Sequence, residues 1–280
     1  MKPNPLYRSQ SKEFWANVRL VSEVVGYTVR GKDTIKVPTI IEMAYGYQTR
    51  NLNIDKLIKN GEVTSLGKDL LGYFAYRADV LNNNVLNNLQ DKEEAEKLFI
   101  EVKNRVNPPD ELLPMNKQKG EKKKEAFLTG IVNMLIYEAL NNQLSFDYDP
   151  RNLTIITENR HPIRTFSRRF DGAYPSILDP NVIWEIKEYY YTTTFGSRVA
   201  DGVYESLLDG MEMEEAEMNT GKKLNHYLIV DSKFTWWVCG KSYLCRLIDM
   251  LNMGYVDVIL FGKEVTTELP LLIKNEWILT

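Results

Sequence analysis

A run of ten residues, 182–191, constrains the fold more than any other part of the chain. It joins the apolar triplet Val182-Ile183-Trp184 to three consecutive tyrosines at 189–191. β-Branched and aromatic residues favour strands, so the run predicts a central β-strand. Glu185 and Lys187 lie two apart inside it and therefore point to the same face. Such a charged pair is costly inside a strand unless it is partnered or binds an ion.

A third ionisable residue precedes this strand. Asp171 follows Phe170, and the segment Leu178-Asp179-Pro180-Asn181 that separates the two runs is typical of a turn. If the runs form an antiparallel hairpin, Asp171 approaches Glu185 and Lys187 across the ladder. Carboxylates placed in this way provide the oxygen ligands that Mg²⁺ takes, and the lysine can stabilise phosphate charge or help to activate a water. These residue types suit the cleavage of a phosphodiester.

An acid on one strand followed by Glu185-Ile186-Lys187 on the next resembles the PD-(D/E)XK nuclease superfamily, the fold of many restriction endonucleases. The chain has Phe170 where the pattern places a proline, and many members also lack that proline. The resemblance covers roughly residues 122–262. It implies that Asp171, Glu185 and Lys187 are catalytic, and that Asp171, Glu185 and the Ile186 carbonyl oxygen hold Mg²⁺. The alternative is a salt-bridged pair on an edge strand, since an E-x-K triplet also arises by chance among 38 acids and 35 basic residues.

Two further acids are candidates through the resemblance. Residues 121–142 predict an amphipathic helix with Glu138 on its apolar face, where family members place an extra metal-binding acid. The alternative is an acid that reaches solvent at the end of that helix. A second helix is predicted from Ser197, with Glu205 on an outer, solvated face beside Asp201 and Asp209. Some family members move a metal ligand onto this helix, which makes Glu205 the second candidate. The apolar residues predicted to point inward from it are Val199, Val203, Tyr204, Leu207 and Leu208.

The order of the remaining patterns predicts an α/β (α+β) fold, in which a mixed central sheet is flanked by helices. Residues 144–148 and 153–157 should supply the first strand of the sheet, and 227–230 and 255–261 later strands around a helix over 241–253. The resemblance makes this a restriction-endonuclease-like core at 116–280. Residues 1–115 predict a mainly helical elaboration, which the resemblance assigns to target recognition and dimerisation. Within it, 20–25 and 27–29 are β-like, Thr39 should cap a helix that starts at Ile40, and 54–106 are helical.

Positive charge is clustered although the net charge is −3. Arginines precede Asp171 at 160, 164, 168 and 169, and Arg198 follows the predicted hairpin. Arg164, Arg168, Arg169 and Arg198 are the predicted DNA-binding residues, on phosphates or guanine edges. A second basic run consists of Lys117, Lys119, Lys122, Lys123 and Lys124, for which a solvated linker is the alternative.

Several other classes lack their signals. Cys239 and Cys245 have neither the spacing nor the histidines of a zinc site. Structural roles are expected for His161 and His226, and the alternative for His161, which lies beside the arginines, is a contact with DNA or with a neighbouring carboxylate. The nucleotide-binding, dinucleotide-binding and hydrolase glycine motifs are missing from the sequence. Without an apolar run of membrane-spanning length or a signal-peptide core, a cytoplasmic location is expected.

Together with these patterns, the resemblance implies a Mg²⁺-dependent, site-specific endodeoxyribonuclease, a type II restriction enzyme that acts as a homodimer on double-stranded DNA and leaves 5′-phosphate and 3′-hydroxyl ends. One alternative is a repair, recombination or other defence nuclease that cuts by structure. Another is a DNA-binding module without catalysis, or a purely structural α/β protein.

Overall fold

The structure is a computed structural model that describes residues 1–29, 32–116, 124–191 and 197–278, without the side chains of Ser197 and Arg198. This described part contains ten α-helices: α1 (Pro5–Arg8), α2 (Lys12–Val25), α3 (Ile40–Thr49), α4 (Ser65–Asp79), α5 (Leu86–Asn88), α6 (Lys92–Val106), α7 (Phe127–Ala139), α8 (Ser197–Thr220), α9 (Lys241–Met253) and α10 (Val265–Leu272). It also contains nine strands: β1 (Ile58–Lys59), β2 (Glu62–Val63), β3 (Asp147–Tyr148), β4 (Ile155–Glu158), β5 (His161–Thr165), β6 (Gly172–Tyr174), β7 (Val182–Glu188), β8 (Asn225–Asp231) and β9 (Val258–Phe261). Four lysines of the predicted basic run, Lys117, Lys119, Lys122 and Lys123, lie outside the described residues.

Five strands form one mixed sheet in the order β3-β6-β7-β8-β9. Strands β3, β6 and β7 are antiparallel neighbours, whereas β7, β8 and β9 run parallel. Parallel neighbours need a crossover, and α8 and α9 provide the two crossovers here. The predicted mixed sheet flanked by helices is therefore confirmed.

Helices cover both faces of the sheet, and the faces carry different residues of β7. Val182 and Trp184 point to the face on which α6, α7 and α10 pack. Ile183 points to the opposite face, where it contacts residues of α8. Because successive side chains alternate between faces, Glu185 and Lys187 belong to the α8 face.

Strands β4 and β5 form a separate two-stranded sheet inserted between β3 and β6. The prediction that residues 153–157 belong to the first strand of the central sheet is wrong, and only Asp147–Tyr148 joins that sheet. The reason is local. Asn159 and Arg160 adopt left-handed φ values of 51° and 67° and make a two-residue turn, so β4 pairs at once with the strand that follows it.

Two helix boundaries also differ from the sequence prediction. Helix α7 starts at Phe127 and not near 121, because Glu125 pairs with Met115 in an isolated β-bridge. Residues 20–25, predicted as β-like, are the second half of α2, which Ser11 caps by accepting a hydrogen bond from the Phe14 amide. By contrast, the predicted cap at Thr39 is confirmed, and Glu42 completes a capping box there. Across the described ranges, no helix is both long and apolar enough to cross a membrane.

A buried ion pair fastens the N-terminal helices to the core. Arg77 of α4 is 1% exposed, and its Nη1 lies 3.0 Å from both carboxylate oxygens of Asp249 in α9. The Tyr73 hydroxyl donates to the same carboxylate, and Arg77 also donates to Ser22 Oγ of α2 at 3.2 Å. The buried Asp249 carboxylate of α9, together with Arg77, thus holds α2, α4 and α9 together.

Replacing Arg77 with Met should lower the free energy of unfolding by about 3–5 kcal/mol, because Asp249 would be left buried without its counter-charge. The control is Arg105→Met, which removes an exposed arginine from an ion pair with Glu138 and should change stability by less than about 1 kcal/mol. Urea unfolding followed by circular dichroism measures both. A loss at Arg77 as small as the loss at Arg105 would contradict this account of the interface.

Candidate active site

The β6–β7 hairpin places Asp171 opposite Glu185. Gly172 pairs with Trp184 in this antiparallel hairpin. Asp171, one residue before Gly172, therefore lies opposite Glu185, one residue after Trp184. A Cβ at position 172 would lie 2.1 Å from the Trp184 ring, so a residue larger than glycine does not fit there. The Asp171 amide donates to the Trp184 carbonyl at 3.1 Å, and Asp171 Oδ2 accepts from the Ile186 amide at 2.7 Å. The backbone of β7 therefore fixes the Asp171 carboxylate.

Glu185 and Lys187 lie side by side under helix α8. Glu185 is 1% exposed and Lys187 is 8% exposed. Lys187 Nζ is 2.9 Å from Glu185 Oε2 and 3.4 Å from Glu205 Oε2. The predicted edge-strand alternative fails in one respect, since β7 is a central strand paired on both sides.

Arg168 is the second cation that pairs with these acids. It reaches the cluster from the segment between β5 and β6, and its Nη1 lies 3.1 Å from Glu185 Oε1 and 2.6 Å from Asp209 Oδ2. Its Nη2 is 3.4 Å from Glu205 Oε2. We define the acidic cluster as Asp171, Glu185, Glu205, Asp209, Arg168 and Lys187. Its four carboxyl groups face two cations, so two negative charges stay uncompensated when all of them are ionised.

The charges of the cluster shift the pKa values of its members in opposite directions. Burial, and then the charge of Glu185, raises the pKa of Asp171 to about 7. Burial also raises the pKa of Asp209 to about 7, although Arg168 opposes the shift. Glu185 is buried too, yet Lys187 and Arg168 outweigh burial and lower its pKa. Burial disfavours the ammonium of Lys187, but Glu185 and Asp171 outweigh that effect and raise its pKa.

Two members of the cluster lie on a helix face that the sequence analysis assigned to solvent. Asp209 is fully buried, whereas Tyr204 and Leu208, expected inside, are 52% and 50% exposed. The missed signal is a stripe of small residues four apart on α8, Gly202, Ser206 and Gly210. Ser206 is buried, and a Cβ at Gly210 would lie 2.3 Å from the Tyr255 carbonyl oxygen. The stripe marks the face that approaches the sheet, and Glu205 and Asp209 flank it.

The structure does not bring Glu138 to the cluster. Glu138 belongs to α7, which packs on the opposite face of the sheet from Glu185, and it forms an ion pair with Arg105 at 2.8 Å. The prediction that Glu138 lies on the apolar face of its helix is wrong, because the residue is exposed, and the helix lies on the face of the sheet away from Glu185. The alternative of an acid that reaches solvent describes it better, since its side chain is 40% exposed.

The predicted DNA-binding arginines divide into three groups. Arg168 belongs to the cluster, and Arg164 is held by Glu212 and Glu215 of α8 at 3.0 and 3.2 Å. Arg169 is exposed. The side chain of Arg198 lies outside the described residues. Two of the four arginines are thus committed to ion pairs inside the chain.

The histidines and cysteines do not join the cluster through hydrogen bonds. His226 is buried, its Nδ1 donates to the Tyr255 carbonyl at 2.9 Å, and burial lowers its pKa. His161 is exposed at the start of β5. Cys239 and Cys245 are both unpaired thiols.

The cluster fits a divalent cation in ligand type and in charge. Carboxylate oxygens are the ligands that Mg²⁺ prefers, and one or two of them suffice when waters and substrate phosphate fill the other positions. Asp209 Oδ1 is buried and accepts no hydrogen bond from the described residues. Both oxygens of Glu185 lie within ion-pair distance of the chain's own cations, although Oε1 is buried and accepts no hydrogen bond from the described residues. Within the described ranges, no three His, Cys, Asp or Glu residues are arranged to hold a metal ion. Asp171 and Glu185 could therefore hold Mg²⁺ as a pair, with Glu185 released from Arg168.

The raised pKa of Asp171 should make stability fall as the pH rises. The unfolded chain loses this proton near pH 4 and the folded chain near pH 7, so the free energy of unfolding decreases between these values by at most about 1.4 kcal/mol per pH unit for this group. The Asp171→Asn variant lacks this term and keeps an oxygen that can accept from the Ile186 amide. Its stability relative to the wild type should therefore rise steadily from pH 5 to pH 7, as measured by urea unfolding.

Asp179→Asn is the matched control in the turn of the same hairpin. Although burial opposes it, hydrogen bonds from Thr157 and Lys222 lower the pKa of Asp179. Its contribution is fully present above pH 4 and is lost only as the pH falls through that lowered pKa. The difference in free energy of unfolding between Asp179→Asn and the wild type should thus be constant from pH 5 to pH 7. If the difference for Asp171→Asn were constant as well, that result would contradict the raised pKa of Asp171.

Comparisons with known proteins found two family models and nothing else. Residues 90–277 match the family described as Domain of unknown function (DUF7687), and residues 1–84 match the one described as Domain of unknown function (DUF7690). No curated protein and no solved structure matches the chain. The first match covers helices α6 to α10 and the whole central sheet, including the acidic cluster. Since it spans well over half of the sequence, the chain belongs to the DUF7687 family.

Proposed function

We propose that the protein is a Mg²⁺-dependent endodeoxyribonuclease of the PD-(D/E)XK type, and that it cuts double-stranded DNA at specific sites as a type II restriction enzyme does. The observation that carries the proposal is the position of Asp171, Glu185 and Lys187. They lie on adjacent strands of one hairpin, on one face of the sheet, beneath α8. A purely structural role needs no excess of buried carboxylates over cations at one place.

The arrangement of elements around the cluster supports the same proposal. Helix α7, strand β3, the β6–β7 hairpin, helix α8 and strand β8 follow one another in the order expected of a restriction-endonuclease-like core. Strand β7 is antiparallel to β6 and parallel to β8. The one departure is the inserted β4–β5 hairpin.

Each residue of the cluster has a distinct task in this proposal. Asp171 and Glu185 would hold Mg²⁺, with the Ile186 carbonyl oxygen as a further ligand. When bound, the ion would activate the attacking water and offset phosphate charge. In hydrolysis, a water oxygen bonds to phosphorus, the bond to O3′ breaks and O3′ takes up a proton. This leaves 5′-phosphate and 3′-hydroxyl ends.

Lys187 serves this proposal as a cation. Because Glu185 and Asp171 raise its pKa, its ammonium stays protonated at neutral pH and cannot accept a proton from water while it is paired in this way. It can donate a hydrogen bond to the attacking water and stabilise the charge that develops on the phosphate. Orienting the attacking water and stabilising phosphate charge are therefore better supported as roles of Lys187 than deprotonating the water.

One observation favours a second candidate, a DNA-binding module without catalysis. Arg168 and Lys187 lie within ion-pair distance of the two oxygens of Glu185, so its charge is offset without an added ion. Cleavage and metal binding separate the two candidates. A structure-selective repair or defence nuclease would share the cluster and would differ in the substrate it cuts.

Purified protein should cut unmodified phage DNA into discrete fragments in Mg²⁺ and should be inactive in EDTA. Asp171→Asn should lower the rate at least about a hundredfold, because it removes one of two ionised ligands, and Lys187→Met should lower it by about 10²–10⁴. Arg105→Met, which like Lys187→Met removes a cation but at an exposed site on the other face of the sheet, should cut at the wild-type rate. Gel electrophoresis of the digests gives all of these results.

The pattern of products decides between the candidates. A smear that Asp171→Asn abolishes would keep the active site and assign it to a nuclease without sequence specificity. DNA that stays intact with wild-type protein, on every unmodified substrate, would contradict the nuclease proposal. Binding without cutting, unaffected by Asp171→Asn, would favour the DNA-binding module.

Arg168 should compete with the metal ion for Glu185, since its guanidinium lies 3.1 Å from Glu185 Oε1. In Arg168→Met the aliphatic stem is kept and the competing charge is lost. Ca²⁺, which binds such sites without supporting rapid cleavage, should then bind at least about tenfold more tightly, because removing a nearby positive charge is worth several kcal/mol at short range. Titration calorimetry measures the affinity. Arg105→Met is the control, and equal or weaker Ca²⁺ binding by Arg168→Met would contradict the competition.

A further inference from the structure

The outer half of the β4–β5 hairpin projects from the body of the protein. All six residues from 158 to 163, here named the arm, are exposed on both faces of the ribbon. The base is held firmly, since Ile156 and Phe166 are buried against α8. At the last fixed position, the Thr157 amide donates to Asp179 Oδ1 at 2.7 Å and Lys222 donates to the Thr157 carbonyl at 2.6 Å. The arm is thus a short ribbon on a rigid base.

The tip of the arm carries an arginine where the backbone favours glycine. Asn159 and Arg160 have φ values of 51° and 67°, and a two-residue turn with both residues in the left-handed region is most easily made by Asn-Gly. Asn tolerates this conformation, whereas a long side chain with a Cβ is disfavoured in it. The local backbone energetics therefore do not explain why position 160 is an arginine. A contact of the Arg160 guanidinium with a binding partner would explain it.

The segment that contains the arm is rich in arginine, in a chain with a net charge of −3. Residues 151–169 contain five arginines and a single acid, Glu158. Arg164 and Arg168 are paired with acids of α8 and β7. The other three, Arg151, Arg160 and Arg169, are exposed and form no ion pair with any described residue. Arg151 precedes β4, Arg160 lies at the tip of the hairpin and Arg169 follows β5.

We propose that the arm inserts into the major groove of double-stranded DNA, with Arg160 on a guanine edge or phosphate of the groove and Arg151 and Arg169 on the flanking phosphates. This inference rests on the proposed function. A two-stranded ribbon fits the major groove, which is about 8.5 Å deep. Two residues beyond Thr157 extend the ribbon by about 7 Å, and the arginine side chain covers the remaining depth.

The position of the arm links recognition to the acidic cluster. Strand β5 leaves the arm and leads through the buried Phe166 directly to Arg168. An extra residue in β5, at the register shift opposite Ile156 and Thr157, bends the ribbon and sets the direction of the tip. DNA held by the arm would therefore be fixed relative to Asp171 and Glu185 through a short, rigid stretch of chain.

The test uses Arg160→Gly, which removes the charge and suits the backbone of the turn. Binding of a labelled 30-base-pair duplex is measured by fluorescence anisotropy in Ca²⁺ over a range of salt concentrations. The variant should bind at least about tenfold more weakly, and the slope of log affinity against log salt should fall by about one. Its thermal midpoint should equal or exceed that of the wild type, because the strained arginine is gone. Arg105→Ala, which removes an exposed arginine on the other face of the sheet, should bind as the wild type does.

The outcomes separate the arm from the proposed function. Unchanged binding by Arg160→Gly, with wild-type protein that binds and cuts the duplex, overturns the arm alone. An equal loss for Arg105→Ala also overturns it, since the effect would then be one of overall charge. Wild-type protein that binds no duplex overturns both the arm and the DNA nuclease, and tighter binding of single-stranded RNA than of duplex DNA would do the same.

Discussion

The ion pairs of Glu185 with Lys187 and Arg168 are the interaction on which the arrangement of the molecule depends. They join the central strand β7, the segment before β6 and, through Glu205 and Asp209, the long helix α8. Transferring such charges from water into the protein has a penalty of several kcal/mol per ion, and apolar side chains of similar size would hold these elements together at least as well. Stability alone therefore does not account for the charges. A chemical role for the cluster would explain why these charges lie in the centre of the sheet.

The same electrostatics indicate how an acidic protein could handle DNA. The uncompensated carboxylates lie in a buried cluster, where a divalent cation would complete the charge balance. Three exposed arginines that form no ion pair with any described residue, Arg151, Arg160 and Arg169, lie around the β4–β5 hairpin. A phosphate backbone that approached the cluster without a cation would meet negative charge. Substrate binding and metal binding should therefore reinforce each other, as expected when the metal lies between protein carboxylates and a phosphate.

The sequence predicted the parts of the site that depend on short-range geometry. The alternation of side chains fixes Glu185 and Lys187 on one face, and the turn before β7 sets Asp171 opposite them, so both relations follow from residues 170–187 alone. The positions of the later strands, β8 and β9, and of α9 are confirmed for the same reason, since each is a continuous apolar or amphipathic pattern with clear ends.

The relations that the sequence did not predict depend on which side of the sheet a helix occupies. Glu138 and Glu205 both lie on helices next to β7, but α7 covers one face and α8 the other, and neither helix pattern carries that information. Arg164 and Arg168 were assigned to DNA because their acidic partners on α8 lie 48 and 41 residues away in the chain. In α2, an N-terminal cap and an apolar stripe outweigh the β-propensity of its valines.

In the proposed nuclease, Asp171 and Glu185 form a metal site in which Arg168 pairs with Glu185 until the ion binds. The most direct measurement is a crystal structure of the protein with Mn²⁺, in which anomalous scattering locates the metal independently of the protein atoms. The account predicts an anomalous peak bonded to carboxylate oxygens of Asp171 and Glu185, with the Arg168 guanidinium displaced from Glu185. No peak at the cluster, with Arg168 still bound to Glu185 at saturating Mn²⁺, would contradict it.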